Sequence, residues 1–133
     1  EPPLRVAEVH HADHLPRAHA RAHLGEPGHP ERARRESPYG GTIAHGFLTL
    51  SLLSHLLEST VDVSRMKMGV NYGLNRLRFP APVKCGDRIR ARTALKEATL
   101  LDKGLEVIYL FTVEIDGGDK PALVAEQVLR VYP

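Results

Sequence analysis

The sequence predicts an α+β fold in which an antiparallel β-sheet wraps around a central, buried α-helix. Two observations carry this. The stretch from Tyr39 to Leu53 runs from a glycine turn into a segment that is apolar on nearly every side. A helix without a polar face belongs in a core. After Lys67 the chain gives a series of period-two segments separated by turn residues, the mark of half-buried strands. One helix followed by a run of strands favours a sheet packed on that helix.

Length and composition bound the rest. A chain of 133 residues fits a single domain, residues 1–133. A hydrophobic content of 42% supplies its core. Net charge is +2, and Lys and Arg are spread along the chain, which argues against nucleic acid. Tryptophan is absent and aromatics are few, so no base-stacking platform is expected. Cys85 is the only cysteine, which excludes an internal disulfide. No stretch reaches about eighteen apolar residues, so no membrane span is expected. Glu1-Pro2-Pro3-Leu4-Arg5 gives no signal-peptide pattern. The expectation is a soluble, cytoplasmic protein with no membrane or nucleic-acid partner.

The elements follow in order. Glu1 to Glu36 is atypical: it has no lysine, holds six of the eight histidines and lacks clear periodicity. The pairs His10/His14 and His19/His23 have the helical spacing that puts two metal ligands on one face. No Cys or Glu completes that set, and Pro16 interrupts the helix it needs, so no metal is expected. Gly46 to about Glu58 is the buried helix, roughly 20 Å long. Its first turn carries backbone N–H groups with partial positive charge, a seat for an oxygen that gains negative charge. Gly69 to Phe79 reads as a strand stopped by Pro80 and Pro82. From Asp87 to about Leu95 a second strand sets Arg88, Arg90 and Arg92 on one side, with Ile89, Ala91, Thr93 and Leu95 on the other. Leu105, Val107, Tyr109, Phe111, Val113 and Ile115 form one face of a third. Asp116-Gly117-Gly118-Asp119 is a turn, and Ala122 to Val131 a last strand.

Gly41-Thr42-Ile43-Ala44-His45-Gly46-Phe47-Leu48-Thr49-Leu50 resembles the signature of MaoC-like dehydratases with the hot-dog fold. Asn71-Tyr72-Gly73-Leu74-Asn75-Arg76-Leu77-Arg78-Phe79-Pro80-Ala81-Pro82-Val83 is similar to the nodulation-protein-N-related branch, close to (R)-specific enoyl-CoA hydratases. Gly86-Asp87 before the next strand also fits. The resemblance covers about residues 30 to 133. It implies a hot-dog fold, a homodimer or higher homo-oligomer, and reversible water addition to a trans-2-enoyl thioester. No cofactor is implied, because coenzyme A is part of the substrate. In the family an Asp and a His five residues later hold a water and act as general base and acid. A glycine N–H at the helix start, matched by Gly46, holds the thioester oxygen. Ser54 matches a helix serine near the site.

The resemblance breaks at the Asp/His loop. With Pro30-Glu31-Arg32-Ala33 fixing the register, the His position falls on Pro27 and the Asp position on Ala22. Neither can move a proton. Three alternatives stay open. The dyad is lost and the protein is a non-catalytic acyl-CoA-binding paralogue. Or His29, with Glu26 or Asp13, rebuilds a base. Or the stretch before residue 36 is irregular, through a frameshift or a missing segment. The candidate catalytic residues are therefore His29 and Gly46, and the candidate substrate-binding residues are His45, Gly46, Ser54, Asn71 and Tyr72. Each also has a plain structural reading. His45 can fix the turn by bonding backbone, and Gly46 can serve close packing. Ser54 can bond a carbonyl one turn back. Asn71, Tyr72 and Asn75 can line a dimer seam or sheet edge. The three arginines can be a solvated face or meet coenzyme A phosphates. A hot-dog thioesterase ranks lower, since Glu58 is the only helix carboxylate and lies far from Gly46.

Overall fold

A computed structural model describes residues 30–58, 60–62 and 66–133. It opens on α1 (Pro30–Glu36), a helix that the irregular composition of this stretch does not announce. Glu31 in its first turn and Arg34 and Arg35 in its last suit the helix dipole.

Two short helices, α2 (Gly46–Ser51) and α3 (Leu53–Glu58), replace the single helix expected over residues 46–58. The break has a local cause. The Ser51 hydroxyl donates to the Leu48 carbonyl at 2.7 Å, the oxygen that the Leu52 N–H takes in an unbroken helix. That N–H bonds the Thr49 carbonyl instead, at 3.3 Å, and the turn tightens.

The expectation of a fully enclosed helix is also corrected. Thr49, Leu53, Leu56 and Leu57 are buried, but Phe47 is 64% and Leu48 36% exposed. A single chain's sheet covers one side of the helix pair only.

The strands are β1 (Met68–Arg78), β2 (Ile89–Leu101), β3 (Gly104–Ile115) and β4 (Leu123–Tyr132). All pair antiparallel in the order β1-β4-β3-β2. β1 stops before Pro80, as the prolines require. The arginine and Ile89/Thr93 alternation holds through the first half of β2, where Ile89 and Thr93 are buried. β2 then runs six residues beyond Leu95, further than expected. Its outer part, Ala94 to Leu100, is exposed throughout, so no alternation announces it. Ladder bonds to β3 hold it, and Leu101 pairs with Gly104 across a tight hairpin. A Cβ on Gly104 would stand 2.5 Å from the Val131 carbonyl oxygen, so this crossing of β3 and β4 requires glycine.

The core forms where α3 meets the sheet. Leu53 and Leu57 pack with Val83, Ile89, Phe111, Val113, Leu123 and Ala125. Phe111 and Val113 belong to the inward face expected of β3. The glycine turn before α2 is tied down by backbone bonds. The Ala44 N–H donates to the Val83 carbonyl at 2.8 Å, and the Cys85 N–H to the Thr42 carbonyl at 3.0 Å. The start of α2 is thereby set beside the end of β1.

Candidate functional site

The helix start is built by His45. Its backbone is extended, with φ −63° and ψ 138°, and its Nδ1 accepts the Phe47 N–H at 3.2 Å. An accepting Nδ1 makes this the neutral ring with the proton on Nε2. The His45 carbonyl accepts from Leu48 N–H at 2.9 Å and Thr49 N–H at 3.3 Å. Of the first-turn donors, the Gly46 N–H alone has no acceptor among the described residues. A Cβ on Gly46 would lie 3.1 Å from the Phe79 ring, so glycine also serves close packing here. Phe79 itself is 41% exposed and stands at the mouth of this corner. Its ring and that of His45 both flank Phe47, at centroid distances of 6.3 and 5.6 Å.

Ser54 and Asn71 come together, one on α3 and one on β1. Asn71 Nδ2 donates to Ser54 Oγ at 3.3 Å, and Gln127 Nε2 on β4 donates to Asn71 Oδ1 at 2.8 Å. Gln127 is buried, and its Oε1 has no partner among the described residues. Nothing in the motifs of the sequence singles out Gln127. Its signal was a polar residue on the inward face of β4, in line with Leu123 and Ala125. Tyr109 is opposite Gln127 on β3, and burial pushes its phenol above the ordinary value.

Tyr72 does not join this group. The Arg130 guanidinium lies 3.4 Å from its ring centroid, a cation–π contact. Arg130 follows Leu129, so alternation along β4 turns it to the face opposite Gln127. Asn75 is exposed on β1. His29, Glu26, Asp13 and the histidines of the metal reading lie outside the described residues. Among the described residues no cluster of His, Cys, Asp and Glu could hold a metal.

The arginine face of β2 is engaged within the sheet. Arg90 Nε and Arg92 Nε reach the two carboxylate oxygens of Glu114 at 2.7 and 2.6 Å. The hydrogen bond from Arg90, followed by Arg92, holds the Glu114 carboxyl below its usual range. A cleft of about 410 Å³ lies there, lined by Arg88, Arg90, Glu114, Asp116 and Lys120 among others. It shares no residue with the Gly46 and Ser54 surroundings. Its mixed charges, already paired at Glu114, give no single-sign seat for a ligand, and we place the site at the helices.

Comparison with known proteins identifies the family. The family profile described as MaoC like domain matches residues 29–113. Nodulation protein N of Rhizobium leguminosarum is 51% identical over 102 residues, covering 75% of this chain and 63% of that protein. The chain thus spans less than two thirds of that relative's length. The 3-hydroxyacyl-thioester dehydratase Z of Mycobacterium tuberculosis is 47% identical over 102 residues, 76% of this chain and 67% of that protein. Among solved structures, the (R)-hydratase from A. caviae involved in PHA biosynthesis aligns with a TM-score of 0.61 at 27% identity. That alignment covers 78% of this chain and 72% of the hydratase. The fold is the hot-dog arrangement of a sheet laid on a helix.

Proposed function

The chain belongs to the MaoC-like domain family, and from that premise we propose that it catalyses reversible hydration of trans-2-enoyl-CoA thioesters to (R)-3-hydroxyacyl-CoA. Water oxygen bonds to C3, a proton goes to C2, and the C2–C3 double bond becomes single. The reaction needs no cofactor, and coenzyme A enters as part of the substrate. Charge that builds on the thioester oxygen is met by the Gly46 N–H, aided by the partial positive charge of the α2 start. The observation that carries this reading is that His45 uses every other N–H of the first turn and leaves this one over. His45 acts through the turn that it caps and flanks the ligand. Tyr72 is a contact at the rim. His29 supplies the base.

The same premise gives a cytoplasmic protein that works as a homodimer or higher homo-oligomer. The open side of the helix pair, with Phe47 and Leu48 exposed, supports a second copy covering what one sheet does not.

The deciding experiment is hydration of crotonyl-CoA, followed by loss of the conjugated enoyl-thioester absorbance. Turnover that disappears in His29→Ala supports the reading and the base. Binding without turnover in the unaltered protein instead indicates a non-catalytic acyl-CoA binder.

A further inference from the structure

The chain of hydrogen bonds from β4 through β1 to α3 has a direction. Gln127 gives an N–H to Asn71 Oδ1. That leaves Asn71 Nδ2 facing Ser54, and Nδ2 can only donate. Ser54 Oγ therefore accepts, and its own hydrogen is directed away from Asn71. No acceptor for that hydrogen is found among the described residues. Turn both amides round and the three side chains still bond. Ser54 then donates to Asn71 Oδ1 and offers a ligand only lone pairs.

Gln127 anchors the line, and in this structure its Nε2 faces Asn71. It is 7% exposed, and its buried Oε1 has no partner among the described residues. An orphaned buried acceptor lowers stability, and folding alone has no use for it in a strand otherwise lined by Leu123 and Ala125. Such exceptions point to function. We propose that Gln127 and Asn71 are positioning residues that fix the Ser54 hydroxyl as a hydrogen-bond donor to the bound acyl thioester. The proposal rests on the hydratase reading above.

Gln127→Glu tests this without touching Ser54. A neutral glutamic acid donates its O–H to Asn71 Oδ1 and keeps the polarity. An ionised glutamate only accepts, so it turns the Asn71 amide round and draws the Ser54 hydrogen inward. Hydration of four-carbon and eight-carbon trans-2-enoyl-CoA is measured on the full chain between about pH 5 and 9, a range that brackets a buried carboxyl. The ratio of variant to unaltered kcat/KM should fall about tenfold as the pH rises. Tyr109, opposite Gln127, and His55, beside Ser54, are the titratable side chains flanking the chain. They are present in both proteins and cancel in the ratio.

A ratio flat with pH for both substrates, in a variant that melts near the unaltered protein, overturns the proposal. Where Gln127→Glu does not fold, Asn71→Asp carries the same logic one residue closer. If the unaltered protein hydrates neither substrate, the hydratase reading fails by itself. Calorimetric binding of crotonyl-CoA to the same pair of proteins then decides. Affinity lost with rising pH in the variant alone supports the polarity, and equal affinity or no binding overturns it.

Discussion

Gly46 shows how one residue answers two demands. Its missing side chain lets Phe79 approach, and its N–H is left over by the His45 cap. The two roles separate experimentally. Gly46→Ala adds the Cβ that crowds Phe79 and keeps the N–H. Gly46→Pro places a Cβ at the same point, adds two further ring carbons and removes the N–H, at a helix position where proline is tolerated. The extended ψ of 138° at His45 also suits a residue before proline. Gly46→Pro should lower kcat for crotonyl-CoA by about 10²–10³-fold, the cost of one oxyanion donor. Gly46→Ala should lose far less, and equal losses would show that space alone matters. Tyr109 makes a second prediction at this scale. Its raised phenol means that the folded state holds this proton more tightly than the unfolded chain. That stabilisation is complete below the ordinary value of 10.0 and is lost as pH rises through the raised folded value. Tyr109→Phe should therefore flatten the alkaline fall in unfolding free energy above about pH 10, and an unchanged slope would refute it. His45 was legible in the sequence, because a residue that bonds backbone before a glycine is a local matter. Gln127 was not singled out, since its partners stand 56 positions away on Asn71 and beyond.

At the scale of elements, chemistry one turn long overrode the hydrophobic pattern. Periodicity places a helix over residues 46–58 but is blind to the Ser51 hydroxyl competing for the Leu48 carbonyl. Strand β2 shows the reverse. Its exposed half has no pattern to read, and pairing with β3 extends it. The join between helix and sheet rests on Leu53, which is 1% exposed in the core cluster. Leu53→Ala should cost about 2–5 kcal/mol, lost transfer energy plus the cavity left behind. Denaturant unfolding monitored by circular dichroism checks this. A cost below about 1 kcal/mol would mean that α3 is not anchored there.

For the whole molecule, the family match and the sheet order agree, while the open side of the helices asks for cover. A homodimer predicts sedimentation at twice the monomer mass at micromolar concentration. A monomer under those conditions would remove the support that Phe47 and Leu48 lend to it. No helix among the described residues is long and apolar enough to cross a membrane.

The sequence by itself determined the helix-then-strands order, the turns, the inward face of β3 and the motif at the start of α2. All of these depend on spacing over a few residues. Only the tertiary structure decided that β4 lies between β1 and β3, that the Phe79 ring closes on Gly46, and that Gln127, Asn71 and Ser54 form one hydrogen-bonded line. Those facts join residues far apart in the chain. Strand pairing and side-chain packing create such contacts, and no local pattern encodes them.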